Sequence, residues 1–175
     1  MKNFFLFLII ILVSSCSSLK QTTNNESSVE DKINIYIKKY APAATKNMRF
    51  FKIPASITLA QGILESGYGE GTKKKNANNH FGIKCHKDWK GKSIKHDDDE
   101  KNECFRSYKN PLRSYRDHSL FLVDRDRYSS LFELNRKDYR GWALGLKAAG
   151  YATDPKYADK LISLIERFKL TRFDE

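Results

Sequence analysis

The spacing of apolar residues along the chain predicts a mostly helical protein. Ile57, Ala60, Ile63 and Leu64 recur every three or four residues, which is typical of a helix that packs one face inward, and Gly67 ends this helix. Other segments carry stripes of the same kind. They are Ile33, Tyr36, Ile37 and Tyr40, ended by Ala41-Pro42; Ala44, Met48 and Phe51 on a second short helix to Lys52; Leu112, Tyr115 and Leu122; Tyr139, Ala143 and Leu146; and Tyr157, Leu161, Leu164 and Phe168. We expect these stripes to form the core.

The middle of the chain changes to the alternation that is typical of strands. Residues 82–85, 92–96 and 104–108 are expected to form short antiparallel strands, with the acidic turn 97–100 between the last two. Residues 29–175 are enough for one compact domain. The whole pattern predicts an α+β fold that is mostly α, a helical domain with a small antiparallel β-lobe.

The first 16 residues have the features of an export signal. Lys2 precedes an unbroken apolar run at 4–13, which is too short to span a bilayer but suits the core of a signal peptide. The motif VSSC, ending at Cys16, resembles the lipobox of bacterial lipoproteins, whose cysteine is lipidated; an ordinary secretory signal is the alternative. Residues 17–28 are polar and are expected to form a flexible tether. We therefore expect a domain anchored to a bacterial membrane through lipid on Cys16, facing the periplasm or the exterior.

The formal net charge of +11 narrows the classes of partner. Such a basic chain inside a cell would suggest nucleic acid, but export argues against that partner and no nucleic-acid-binding signature is visible. An anionic component of the envelope, such as peptidoglycan or lipopolysaccharide, fits the charge better.

Two cysteines remain once Cys16 is assigned to lipid. Cys85 and Cys104 flank the expected hairpin, and in an oxidising compartment they are expected to form a disulfide worth on the order of 3 kcal/mol. The alternative is a metal site that uses the histidines near them. Those histidines are His80, His86 and His96. The adjacency of Cys85 to a histidine matches no structural zinc spacing, so we predict no metal.

One glutamate stands out as a candidate general acid. Glu65 lies in the last helical turn before Gly67, with Gln61 four residues earlier on the same face. The negative end of the helix dipole and apolar neighbours both favour a protonated carboxyl there, which is the form that a general acid needs. The alternative is an ordinary surface glutamate beside a helix end. Glycosidic-bond cleavage normally takes a second carboxyl group across a groove, and the acidic turn 97–100 either supplies it or is merely a solvated turn.

Four segments, in this order, resemble a known family. They are ITLAQGILESGYGEG, NNHFGIKC, CFRSYKNPLRSYRDHSLFL and AAGYATDPKYADKLISLIERF, within residues 33–170. They resemble the bacterial β-N-acetylglucosaminidase domain of flagellar-rod hydrolases and autolysins, glycoside hydrolase family 73. The resemblance implies a lysozyme-like α+β fold and a monomeric enzyme without cofactor. Its substrate would be peptidoglycan, cut at the β-1,4 bond after N-acetylglucosamine.

The resemblance also implies roles for individual residues. Glu65 would be the general acid, and Tyr151, in GYATDP, would lie in the cleft and support catalysis. Phe81, in NHFGIK, and Tyr68 would line the glycan groove, and Gln61 would contact the substrate. Phe81, Tyr68 and Tyr151 could instead be ordinary packing aromatics.

The family's second carboxylate has an ambiguous equivalent in this chain. The matching hairpin reads HDDDEKNECF, and strand alternation would place Asp98 and Glu100 on one side and Asp97 and Asp99 on the other. We favour Asp98 or Glu100. The sequence is compatible with a retaining, an inverting and an N-acetyl-assisted mechanism.

Two other functions fit parts of the same pattern. A lytic transglycosylase also uses a single glutamate in an E-S-G context, although this chain lacks the Gly-Leu-Met-Gln segment that those enzymes commonly carry. A non-catalytic, wall-binding lipoprotein that keeps the fold is the second alternative.

Overall fold

The structure, a computed structural model, describes residues 19–87, 89–98 and 100–175. The expected signal peptide with Cys16, and Asp99 of the acidic turn, lie outside these residues. The elements in chain order are α1 Leu19–Phe51, α2 Ala55–Glu65, α3 Thr72–Ala77, β1 Ser93–His96, β2 Glu103–Arg106, α4 Pro111–Val123, a 3-10 helix Asp126–Glu133, α5 Tyr139–Ala148, α6 Tyr157–Arg167 and a 3-10 helix Leu170–Phe173. The prediction of a mostly helical α+β fold is confirmed. Within these residues, no helix has both the length and the apolar character that crossing a bilayer requires.

The first helix is longer than the sequence pattern predicts. The expected break at Ala41-Pro42 is wrong, because α1 runs through Pro42 to Phe51. Ala44 and Met48, beyond the proline, are buried on the same core as Tyr40 before it, and this shared burial outweighs a cost of about 3 kcal/mol for proline inside a helix. The helix also begins at Leu19, within the segment 17–28 that composition predicts to be a flexible tether. Extending an established helix costs far less than nucleating one, so polar residues can continue it.

Helix α2 is the central element of the domain. It packs against α1, α5, α6 and the last 3-10 helix, and every residue from Ala55 to Ile63 is buried. The expectation of a helix with a single inward face is therefore wrong, because small residues let neighbours approach α2 from all sides. At Gly62, for example, an added Cβ would lie 2.6 Å from the Tyr36 hydroxyl oxygen. Only the end of α2, at Leu64 and Glu65, is half-exposed within the helix.

The β-lobe is a two-stranded hairpin. Strands β1 and β2 pair antiparallel, with Ile94 opposite Phe105, and the third expected strand, 82–85, is reduced to a single bridge between Lys84 and Phe105. Cys85 and Cys104 form the predicted disulfide across this junction, with their Cα atoms 5.3 Å apart. The disulfide uses the cysteines that the alternative metal site would have needed. In the described part of the chain, no group of three or more His, Cys, Asp or Glu side chains is arranged to hold a metal ion.

Candidate active site

A cleft of about 430 Å³ separates the helical core from the β-lobe. Its lining includes Glu65 at the end of α2, Lys73 from α3, Asp98 from the hairpin and Tyr151 and Tyr157 around the start of α6. Helix α2 places Glu65 in the cleft because the buried part of the helix ends at Ile63, two residues earlier. The cleft therefore brings together two of the carboxyl groups and one of the tyrosines that the sequence singled out.

The carboxyl group of Glu65 has an unusual environment. Its pKa is raised from 4.5 to about 7. Burial is the main cause and the nearby carboxylate of Asp98 adds to it, against the opposing effects of a hydrogen bond from Tyr157 and of the Lys73 ammonium. A carboxyl group with this pKa is partly protonated at neutral pH. It can therefore donate a proton near pH 7, as general acid catalysis requires.

A series of hydrogen bonds links Glu65 to buried side chains on the core side of the cleft. The amide Nε2 of Gln61 donates to the Tyr157 hydroxyl oxygen at 3.0 Å, and the Tyr157 hydroxyl donates in turn to the Glu65 carboxylate. Gln61 is fully buried, so the expectation that it contacts substrate is wrong. Because the buried section of α2 extends to Ile63, Gln61 faces the core and positions Tyr157 instead.

Sequence reasoning missed the role of Tyr157. Its place in the apolar stripe of α6 indicates a core residue, and it is indeed buried. The hydroxyl group of Tyr157 could have indicated this role. A buried tyrosine hydroxyl requires a hydrogen-bond partner, and the apolar residues of the stripe do not supply one.

The carboxylates of the acidic turn do not lie where the alternation of a strand would place them. Asp98 lies in the cleft, where its Oδ2 atom is 3.1 Å from the Lys73 Nζ atom, whereas Glu100 is exposed and does not line the cleft. Asp97 caps the turn by accepting a hydrogen bond from the Asn102 amide at 2.8 Å. The expectation that Asp98 and Glu100 share one side fails because β1 ends at His96, and the alternation of a strand does not continue through a turn.

Tyr151 and Phe81 both line the cleft, where the sequence predicts them. The chain turns out of α5 at Gly150, whose φ of +72° favours glycine, and this turn directs Tyr151 against Tyr157 with ring centroids 5.7 Å apart. Burial keeps the pKa of Tyr151 well above its ordinary value, so the hydroxyl stays neutral and able to donate. The Phe81 ring stacks on His118 with a centroid distance of 4.0 Å, which fixes it as part of the cleft wall.

Tyr68 lies elsewhere, in a groove beside α1. Its neighbours there include Lys39 and Glu70. Tyr68 does not line the cleft that holds Glu65, and its expected place along the glycan groove stays a prediction. The backbone at Gly67 and Tyr68 has φ values of 54° and 61°, in the left-handed region, within the turn that follows α2.

Comparison with known proteins shows which family this chain resembles. The family model described as mannosyl-glycoprotein endo-beta-N-acetylglucosaminidase matches residues 41–170. The chain is 32% identical to peptidoglycan hydrolase FlgJ of Vibrio cholerae over 162 residues, covering 86% of this chain and 48% of that protein. It is 30% identical to exo-glucosaminidase LytG of Bacillus subtilis over 165 residues, covering 87% and 57%. The chain thus spans about half the length of these relatives.

Solved structures show the same fold. The peptidoglycan hydrolase of Sphingomonas sp. A1 matches with a TM-score of 0.69 and 29% identity over 79% of this chain and 91% of that chain. The glycoside hydrolase domain of Salmonella typhimurium FlgJ matches with a TM-score of 0.66 and 28% identity, over 80% and 90%. These neighbours confirm the lysozyme-like fold that the sequence predicts.

Proposed function

The chain belongs to the mannosyl-glycoprotein endo-beta-N-acetylglucosaminidase family, a family of glycoside hydrolases, and from this premise we propose that it hydrolyses peptidoglycan. The bond cut is the β-1,4 linkage after N-acetylglucosamine in the glycan strands. The observation that carries the proposal is the position of Glu65, a carboxyl group of pKa about 7 in the cleft. The names of the relatives, which include peptidoglycan hydrolases and a glucosaminidase, support the choice of substrate.

In this mechanism Glu65 protonates the oxygen of the leaving sugar. One of its carboxyl oxygens accepts the hydrogen bond from Tyr157, and the other carries the transferable proton. As the glycosidic bond breaks, positive charge develops at the anomeric carbon, and the carboxylate that Glu65 becomes is stabilised by Tyr157 and by the Lys73 ammonium.

Asp98 is the second carboxyl group in this proposal. Like Glu65, it lines the cleft, and there it forms an ion pair with Lys73. A carboxylate in this place supports the developing positive charge or orients the attacking water. Tyr151, held neutral beside Tyr157, donates a hydrogen bond toward the reacting sugar.

The proposed location is the cell envelope. The motif VSSC supports lipidation of Cys16, which would hold the enzyme at a membrane beside its substrate. Labelled fatty acid should enter the full-length protein and should not enter the Cys16→Ser variant. Equal labelling of the two proteins would contradict lipidation at Cys16 and would leave the proposed reaction unaffected.

Product analysis with one matched pair of variants tests the chemistry. We expect the wild type to release reducing-end N-acetylglucosamine from purified sacculi and Glu65→Gln to release almost none while remaining folded. Glu133→Gln makes the same chemical change at an exposed position outside the cleft and should retain full activity. Anhydro-muramic ends would identify a lytic transglycosylase instead, and binding of sacculi without new sugar ends would identify a non-catalytic wall-binding protein.

A further inference from the structure

We propose that Arg125 and Arg127, mounted on the rings of Phe121 and Tyr128, form a subsite that binds the carboxylates of peptidoglycan peptide stems. This inference rests on the proposed function for its substrate. It adds a specificity that the catalytic residues do not provide, namely a preference for peptide-bearing strands over bare sugar strands. We call these four residues the arginine platform.

Aromatic rings hold both guanidinium groups of the arginine platform. The Arg125 guanidinium carbon lies 3.7 Å from the centroid of the Phe121 ring, and that of Arg127 lies 4.7 Å from the centroid of the Tyr128 ring. The two rings are themselves neighbours, with centroids 6.0 Å apart. Cation–π stacking therefore orients both arginines without neutralising them.

The charge at this place is positive. In the described part of the chain, neither arginine forms an ion pair with a carboxylate, not even with Asp124 or Asp126 beside them in sequence. The nearby Arg106 differs, because its Nη1 atom is 2.8 Å from the Asp117 carboxylate. Burial lowers the pKa of Arg125, and the positive charges of Arg106 and Arg127 lower it further, against the opposing effect of the Asp117 carboxylate.

The arginine platform is continuous with the cleft. Phe121 and Arg127 belong to the cleft lining, and both Phe121 and Tyr128 have ring centroids 6.2 Å from that of Tyr151. A glycan strand that passes Tyr151 therefore brings its substituents onto the platform. His86, whose ring stacks on Phe121 with the centroids 5.9 Å apart, also lines the cleft.

Carboxylates are the ligand that fits this arrangement. A guanidinium has five N–H donors and can donate two parallel hydrogen bonds to a carboxylate. Arg125 uses one of these donors, on Nη1, for the Phe121 carbonyl oxygen at 3.0 Å, and its other donors are left for a ligand. In peptidoglycan the N-acetylglucosamine units are uncharged, and the free carboxylates are on the peptide stems. The platform therefore recognises the peptide-substituted sugar and not the backbone.

The test compares two forms of one substrate. Glycan strands are prepared with their peptide stems, and a portion is stripped of stems by an amidase. This hydrolysis leaves a free lactyl carboxylate on each muramic acid, so these carboxylates are then capped as methylamides to give uncharged stripped strands. We expect the ratio of kcat/KM on peptide-bearing strands to kcat/KM on stripped strands to fall about tenfold in the variant Arg125→Gln/Arg127→Gln, mainly through KM. The matched control is Arg113→Gln/Arg116→Gln, which removes the same charge from exposed positions on α4 outside the cleft and should keep the wild-type ratio.

A binding measurement separates the failure of this inference from the failure of the proposed function. A soluble disaccharide-peptide is titrated into Glu65→Gln, with and without the two platform substitutions, and an N-acetylglucosamine oligomer is titrated in parallel. We expect about tenfold weaker binding of the disaccharide-peptide and a much smaller change for the oligomer. Equal loss for both ligands, or no loss for either, would overturn the platform even if wild-type hydrolysis is confirmed. A wild type that cleaves neither strand would overturn the proposed function, and the titration would still decide the binding of stems.

Discussion

The hydroxyl group of Tyr157 donates a hydrogen bond to the carboxylate of Glu65. This contact lowers the pKa of Glu65 against the larger effect of burial, so the value of about 7 is a balance between two opposing environments. The tyrosine thus positions the acid and also sets the pH at which it can act. The hydroxyl oxygen of Tyr157 accepts from Gln61 at the same time, which fixes the direction of its proton toward Glu65.

Replacing Tyr157 by phenylalanine should move the pH profile of the enzyme to higher pH. The lost hydrogen bond stabilised the ionised carboxylate, so its removal raises the pKa of Glu65. Because a general acid works in its protonated form, the fall of kcat/KM on the alkaline side should then occur at a higher pH than the wild-type value near 7. We expect kcat itself to fall by about tenfold, because the carboxyl group loses its orientation.

A matched substitution controls for the loss of a tyrosine hydroxyl. Tyr139 donates to the exposed carboxylate of Glu166 at 2.9 Å, and neither residue lines the cleft, so Tyr139→Phe should leave the pH profile unchanged. An unshifted alkaline limb in Tyr157→Phe, with normal folding, would show that Tyr157 is only a packing residue.

The raised pKa of Glu65 should also lower the stability of the wild type at high pH. In the folded protein this carboxyl group binds its proton up to about pH 7, and in the unfolded chain only up to about 4.5. Between these values the folded state holds more protons than the unfolded state, so the free energy of unfolding falls as pH rises through this window. Glu65→Gln removes the titration and should be more stable than the wild type by roughly 2 kcal/mol at pH 8, a value reduced for partial exposure.

Urea unfolding at two pH values checks this expectation. At pH 4, where the wild-type carboxyl group is protonated in both states, the two proteins should differ little. At pH 8 the midpoint of the variant should be higher. The same difference at both pH values would mean that the stability change comes from packing and not from the charge of Glu65.

The parts of the fold that the sequence predicts are those governed by local patterns. The apolar stripes give the helices, and the two cysteines beside an acidic turn give the hairpin and its disulfide. The pattern fails where a distant contact decides the outcome. At Pro42 the local signal for a break is genuine, but burial of residues on both sides of it keeps α1 continuous. At α2 the stripe indicates a single buried face, whereas small residues allow packing on every side.

In the candidate site too, the residues with a local signal are predictable from the sequence, and those placed by distant contacts are not. Glu65 is predictable because a carboxyl group at the end of an apolar helix has a local physical signature, and the resemblance adds Tyr151 and Phe81. Gln61 is assigned incorrectly and Tyr157 is missed, because the side that each side chain faces depends on which elements pack around it. The choice between Asp98 and Glu100 likewise depends on where β1 ends, and no spacing rule supplies that boundary.

Substitution of the two candidate partner carboxylates should separate them sharply. Asp98→Asn keeps the size of a cleft-lining side chain and removes its charge, so we expect hydrolysis of sacculi to fall by about two orders of magnitude. Glu100→Gln makes the equivalent change at an exposed position outside the cleft lining and should retain nearly full activity. Release of new reducing ends measures both. A large loss in Glu100→Gln together with an active Asp98→Asn would reverse the assignment.

Loss of the disulfide should weaken both substrate binding and the chemical step. Cys85 and Cys104 tie the segment that follows Phe81 to strand β2, so the bond fixes the β-lobe against the cleft wall. The bond closes a loop with a sequence separation of 19, and removing it should lower the free energy of unfolding by about 3 kcal/mol. The variant Cys85→Ser/Cys104→Ser should therefore unfold at lower urea concentration and show a raised KM, because Asp98 and Lys73 lie at the edge of the lobe that loosens. The same lobe carries Asp98, the proposed second carboxyl group, so kcat should fall as well, whereas Glu65 on α2 in the core keeps its position. Unchanged kcat and KM in a variant of lowered stability would show that the disulfide does not position the lobe for catalysis.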